Sequence, residues 1–208
     1  MDLQPFKHII WDWNGTLMDD THLCVEIINE ILKAERIPLI DTTQYRETFT
    51  FPVRHYYERI GLNKSDKSFE KLSAVYIEQY GKRWNQCQLH DGADACLEMI
   101  HQAGISQSVL SASEQTTLEK AVAHYEILTY FHGLVGQQDY YARGKLEAGQ
   151  AWIQELDSEP PEILLIGDTL HDYEVAQQLG LQCILVSFGH QCEAVLQAAG
   201  LPLITTMQ

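Results

Sequence analysis

The stretch His8-Ile9-Ile10-Trp11-Asp12-Trp13-Asn14-Gly15-Thr16 decides how this chain is read. His8–Trp11 is a short β-prone run, and Asn14-Gly15 just behind it is a turn signal. The strand therefore stops on a carboxylate and a tight turn. In an open α/β sheet, ligands bind at the carboxyl ends of the strands. Two later strands end in polar groups of the same kind. A strand over Gln107–Leu110 runs into Ser111-Ala112-Ser113, and Ile163–Ile166 runs into Gly167-Asp168-Thr169-Leu170-His171-Asp172. Lys145 opens the helix that precedes the latter strand.

Working outward, Leu23, Ile27, Ile28, Ile31 and Leu32 fall at helical spacing over residues 21–35, with Thr21 placed to cap. Pro52 suits the first turn of a helix ending near Gly61. Phe69, Leu72, Tyr76 and Tyr80 share one face of a helix from Ser68 to Trp84. From His90 the rhythm changes to helix 93–101, strand, helix 113–125, a short strand at Leu134-Val135, helix 145–156, strand, helix 173–179 and a strand at Cys183–Val186. Ile163–Ile166 shows no alternation, as a strand covered on both faces should. Alternating strands and helices predict an α/β fold, a Rossmann-like parallel sheet with helices on both faces. About seventy helical residues separate the first strand from the second. The economical division is an α/β core over residues 1–18 and 90–208, interrupted by an inserted helical domain over 19–89. That insert carries nine of the twenty aromatics, enough for a small core of its own.

The chain has 208 residues, 45% hydrophobic and 10% aromatic, which excludes a disordered or low-complexity protein. Its 14 Lys+Arg against 29 Asp+Glu give a formal charge of −15. That excess argues against a nucleic-acid backbone or an anionic membrane as partner, since both reward cations. It leaves room for an anionic small molecule, because a bound metal reverses the local field. Five cysteines without a C-x-x-C pair fit reduced thiols, and no signal-peptide pattern or membrane-length apolar run is present, so a cytoplasmic location is expected.

Asp12, Asp168 and Asp172 are expected to converge on one sheet edge. Like charges this close raise one another's pKa unless a cation sits among them. Oxygen ligands and few of them suit Mg²⁺, which takes one or two carboxylates, several waters and a substrate phosphate. Lys145 offers a point charge and Ser111 a hydroxyl, while backbone N–H groups around Gly15 and Ala112 would form an anion-binding concavity.

Asp12-x-Asn14-Gly15-Thr16, Ser111, Lys145 and Gly167-Asp168-x-x-x-Asp172 occur in the order and strand positions of the haloacid dehalogenase (HAD) superfamily, which the chain resembles over nearly its whole length. The insert resembles that superfamily's α-helical cap, and the similarity is greatest to its phosphoglycolate-phosphatase-like and β-phosphoglucomutase-like members. The resemblance implies a Mg²⁺-dependent phosphatase of a small phosphorylated metabolite. It implies Asp12 as nucleophile, forming an aspartyl-phosphate. It implies Asp12, Asp168 and the Asn14 carbonyl as metal ligands, with Asp172 acting on metal waters or on Lys145. Ser111 and Lys145 would hold the phosphoryl oxygens, and Thr16 would orient the loop.

One departure stands out. Hydrolytic members carry Asp where this chain has Asn14, and that Asp protonates the leaving oxygen and later deprotonates water. General acid–base help is worth roughly 10²–10⁴-fold, so a slow phosphatase or a substitute proton carrier is expected. His171 is a candidate relay, against the blander reading of an exposed loop histidine. Arg54 is a candidate for reaching a substrate carboxylate, against that of a solvated helix charge. Ser113 competes with Ser111, and Asp172 also reads as a dipole-complementing residue. Tyr56, Tyr57, Tyr76, Tyr80 and Trp84 read as cap core before substrate platform, and Trp13 as packing. The rivals are phosphonate cleavage or a phosphomutase on the same scaffold, and a catalytically impaired phosphate-binding or regulatory protein. Arg46, Arg54 and Arg59 with no lysine over 41–60 count against the first, and Asn14 counts against the mutase.

Overall fold

The computed structural model describes residues 3, 5–62, 65–137, 145–200 and 202–207. In chain order it contains β1 (His8–Trp11), β2 (Met18–Asp19), α1 (Thr21–Ala34), α2 (Thr42–Thr48), α3 (Val53–Arg59), α4 (Asp66–Arg83) and β3 (Gln88–Leu89). There follow α5 (Ala93–Gln102), β4 (Ser106–Glu114), α6 (Gln115–His124), β5 (Gly133–Gln137), α7 (Lys145–Glu155), β6 (Ile163–Gly167), α8 (Leu170–Leu179), β7 (Gln182–Val186), α9 (Glu193–Leu196) and β8 (Leu203–Ile204).

Six strands form one parallel sheet in the order β5-β4-β1-β6-β7-β8. The α/β reading of the alternating segments is borne out. β1 lies at the centre, with Trp11 beside Val109 of β4 and Ile166 of β6. Its side chains alternate between two cores, as a period of two requires. Ile9 and Trp11 point to the face that also holds Leu97, Ile100, Leu118 and Val122. Ile10 points to the face that holds Leu165, Val175, Ala176 and Leu179. The carboxyl ends of β1, β4 and β6 therefore lie side by side. β2 and β3 pair antiparallel at the two ends of the helical segment, so α1–α4 leave and rejoin the sheet at one place.

Several boundaries differ from expectation for local reasons. β4 continues to Glu114, and α6 starts at Gln115, because the Glu114 carboxylate caps the N–H groups of Thr116 and Thr117. α8 begins at Leu170, three residues before the expected start, because Thr169 and Asp172 form a capping box. α2 was not anticipated. It is a short helix, started by an Asp41–Gln44 capping box, with only Tyr45 buried. All five cysteines are free. Among the described residues no helix is long and apolar enough to cross a membrane.

Candidate active site

Three of the expected carboxylates meet. One ligand oxygen from each of Asp12, Asp168 and Asp172 lies within 4.8 Å of the others, and all three residues are buried. Backbone geometry makes this possible. The Asp12 amide donates to the Ile166 carbonyl at 2.8 Å, which continues the β1–β6 ladder into the loop. Gly15 has φ +75°, and a Cβ there would stand 2.3 Å from Asp168 Oδ2. A Cβ on Gly167 would meet Asp172 Cγ at 2.3 Å. Both glycines are what lets the carboxylates close in.

Lys145 sits among them with 3% exposure, so it is no surface lysine. Its ammonium donates to Asp12 Oδ1 and to Asp172 Oδ1, each at 2.6 Å. Burial pushes the Asp12 carboxyl up to about 6, against the pull of Lys145. Burial drives Asp168 up to about 8, opposed by His190 and aided by the charges of Asp12 and Asp172. Against the same burial cost, Lys145 holds Asp172 below the ordinary carboxylate range. Ionised together, three carboxylates facing one ammonium carry two negative charges in excess. An all-oxygen donor set with that imbalance fits a hard divalent cation.

Thr16 is fully buried, with its hydroxyl 3.4 Å from Asp12 Oδ2 and 3.3 Å from Asp168 Oδ1. The Gly15 N–H, expected to face an anion, donates instead to Asp20 Oδ1 at 2.9 Å. The Ser111 hydroxyl is buried and accepts from the Ser113 N–H at 3.0 Å. Ser113, with Ala112, lines the cavity over the cluster. The Ser113 hydroxyl donates to Asn14 Oδ1 at 2.8 Å, and Asn14 Nδ2 donates to Asp20 Oδ2 at 2.8 Å and to the Tyr80 hydroxyl at 2.6 Å. Asp20 can only accept when ionised, so the amide nitrogen must face it. Both ends of the Asn14 amide are thus engaged.

Arg54 is not brought to this place. Its guanidinium pairs with Asp66 and lies 4.5 Å over the Phe69 ring, so it covers the outside of the helical layer. His171 does line the cavity, stacked on Phe51 at 4.7 Å, rather than standing free on a loop. Trp13 is buried against Tyr125 as packing.

Two residues escaped the sequence reading. His190, 6% exposed, donates its backbone N–H to Asp168 Oδ2 at 2.5 Å. Its ring lies 3.3 Å from Asp20 Oδ1 through Nε2 and 3.1 Å from the Tyr45 hydroxyl through Nδ1. Although burial opposes it, Asp20 with Asp168 and Asp12 raises the imidazole to about 9. Against its own burial, His190 with Tyr80 and Asn14 holds Asp20 down to about 2. The signal for His190 was available, since Phe188-Gly189-His190 follows β7 at the same sheet edge. Asp20 carried none beyond its nearness to Asp12.

The cavity measures about 310 Å³. Its floor is the carboxylate cluster with Lys145, and its wall is Tyr45, Phe49, Phe51, Tyr56, Tyr57 and further apolar side chains from α1, α3 and α4. The tyrosines read as helical core do pack together, and they form this wall as well. The Tyr56 hydroxyl is buried with no hydrogen-bond partner among the described residues.

Comparison with known proteins places this geometry. A phosphoglycolate phosphatase from Synechococcus elongatus is 24% identical over 195 residues, covering 92% of this chain and 88% of that protein. The tyrosine-protein kinase PtkA of Mycobacterium tuberculosis is 23% identical over 184 residues. That match takes in 88% of this chain, which spans 62% of the length of PtkA. Among solved structures, the haloacid dehalogenase-like family hydrolase SP0104 from Streptococcus pneumoniae superposes with a TM-score of 0.81 at 20% identity, covering 97% of this chain and 94% of that one. The family model described as haloacid dehalogenase-like hydrolase matches residues 9–186, and the chain belongs to that family.

Proposed function

We propose that the protein is a Mg²⁺-dependent phosphatase of a small phosphorylated metabolite, with Asp12 as the nucleophile. The observation that carries this is the cluster of Asp12, Asp168, Asp172 and Lys145 at the floor of a cavity. The relatives named phosphoglycolate phosphatase support the same reading. Residues 19–89 would act as a cap over a core made of 1–18 and 90–208. The free thiols and the acidic surface suit a cytoplasmic protein.

Asp12, Asp168 and Asp172, with the Asn14 backbone carbonyl, would hold Mg²⁺, which when bound neutralises the carboxylates so that a phosphate dianion can approach. Asp12, at about 6, is ionised at neutral pH and so able to attack phosphorus. Lys145 fixes one Asp12 oxygen and leaves the other for attack, while its ammonium offsets charge on the phosphoryl oxygens. Ser113 and Ala112, which line the cavity, would make the second phosphoryl contact, with Ser111 bracing that loop by accepting from the Ser113 N–H. His190 steadies Asp168 through its N–H. Asn14, tied to Ser113, Asp20 and Tyr80, positions the loop and carries no proton to the leaving oxygen.

The test is chemical trapping. Protein incubated with acetyl phosphate and Mg²⁺, then quenched in acid, should carry a phosphoryl group on the Asp12 peptide, absent in Asp12→Asn. Phosphate release with that peptide unmodified would refute the assignment. Asn14 also favours a second reading, a phosphate-binding regulatory protein with impaired turnover. That reading predicts phosphate binding without phosphate release in the same experiment.

A further inference from the structure

Resting on the phosphatase reading, we infer that the preferred substrate is an aryl phosphate, a monoester whose leaving group is a phenol, rather than a carboxylate-bearing or polyhydroxylated phosphate. The wall opposite the carboxylates is built from the rings of Tyr45, Phe49, Phe51, Tyr56 and Tyr57. Their centroids lie 5.2–6.0 Å apart, Tyr45 and Phe49 stacked and the other pairs edge-on, so the wall presents ring faces and edges against which a further ring packs. About 310 Å³ is at the low end for a ligand cavity, which suits a single ring with its phosphoryl group.

The charges of the described lining disfavour the alternatives. Among the described lining residues the only lysine or arginine is Lys145, and Asp12 and Asp172 already occupy it. Arg54 faces Asp66 outside the cavity, and Arg46, also outside the lining, donates through Nη2 to the carbonyls of Ser187 and Gln191. The His190 imidazolium is held by Asp20, so a substrate carboxylate set against the aromatic wall would have no uncommitted cation among the described lining residues and would pay a desolvation cost. The hydroxyls of Tyr45, Tyr80 and Ser113 are likewise committed, to His190, Asp20 and Asn14. The Tyr56 and Ser73 hydroxyls, buried in the lining without a partner among the described residues, are left for a ligand's polar groups. They are too few for the several hydroxyls of a sugar, and each one buried unpaired weakens binding.

The leaving group agrees with the wall. Asn14 supplies no proton, so an alkoxide leaves with difficulty. A phenoxide, whose conjugate acid has a pKa near 10 as in tyrosine, leaves unaided. Asp12 attacks phosphorus, the bond from phosphorus to the aryl oxygen breaks, and the phenoxide departs with the electron pair and takes its proton from water. A second water then hydrolyses the aspartyl-phosphate to inorganic phosphate.

The experiment compares kcat/KM for phenyl phosphate, cyclohexyl phosphate, phosphoglycolate and glucose 6-phosphate with Mg²⁺, and includes acetyl phosphate as a small activated donor. Phenyl phosphate is expected to exceed cyclohexyl phosphate by at least about 10²-fold, the low end of what a missing general acid costs an alkyl ester. Cyclohexyl phosphate should compete with phenyl phosphate at a Ki within about tenfold of the phenyl KM, since both rings fit the wall. Phosphoglycolate or glucose 6-phosphate equalling phenyl phosphate, with acetyl phosphate hydrolysed, overturns the substrate class and leaves the phosphatase. If acetyl phosphate and every ester survive, both readings fall.

Discussion

Replacing Asn14 by Asp puts a carboxyl where the amide nitrogen now stands 2.8 Å from Asp20 Oδ2. Two unit charges at that distance repel by about 6 kcal/mol at an effective dielectric of ~20. At about 1.36 kcal/mol per pKa unit, that raises the introduced group by at most about 4 units from an ordinary Asp, since the His190 imidazolium beside Asp20 offsets part of the repulsion, and it favours the protonated form. In that form it donates to Asp20 as the amide does, so the loop survives, and it carries the proton that Asn14 lacks. The expected gain is roughly 10²–10⁴-fold in turnover of an alkyl phosphate, because general acid help is worth that much. The gain for an aryl phosphate should be much smaller. Rapid acid quench with both esters measures the step that forms the aspartyl-phosphate. Equal rates in wild type and Asn14→Asp with the alkyl ester would refute the reasoning, since position 14 would then stand away from the leaving oxygen.

Lys145→Met leaves Asp12 and Asp172 buried without their cation, which costs about 3–5 kcal/mol and should lower Tm by about 10 °C; thermal denaturation without added metal checks it, and an unchanged Tm refutes the pairing. Burial, with help from His132, holds His8 down to about 4, whereas the unfolded imidazole takes its proton near 6.5. The folded state therefore loses up to about 3 kcal/mol as pH falls from 6.5 toward 4. His8→Gln should remove that part of the slope in urea titrations at pH 7 and 4.5, and parallel slopes would count against it. Mg²⁺ should bind to wild type and fail to bind Asp168→Asn in titration calorimetry; equal uptake by both would move the ion elsewhere.

Much of the sheet edge was legible because strands that stop on polar residues leave a mark in sequence. Asp12, Ser111 and Asp168 each follow an apolar run, and parallel order brings those run ends together, with Asp172 four residues beyond Asp168 in the first turn of α8. Lys145 was found by its place before β6, though its full burial was invisible. His190 and Asp20 were missed for a different reason. Each is a single polar residue whose meaning lies in a partner 170 positions away, and no periodicity records such a pairing. The aromatic wall was misjudged in part because periodicity tells which residues share a helix face, not whether that face closes on protein or on empty space. Tyr56 and Tyr80 do both. α2, seven residues with one buried side chain, has too little apolar pattern to announce itself.

Tyr45 and Tyr80 reach down from the helices to His190 and Asp20, and the same His190 steadies Asp168. Lifting the helices away would strip two phenols from an ion pair and let solvent reach it. The grip on Asp168 would slacken in the same movement. Were a ligand admitted by such a movement, entry and a loosening of the acidic nest would be one event.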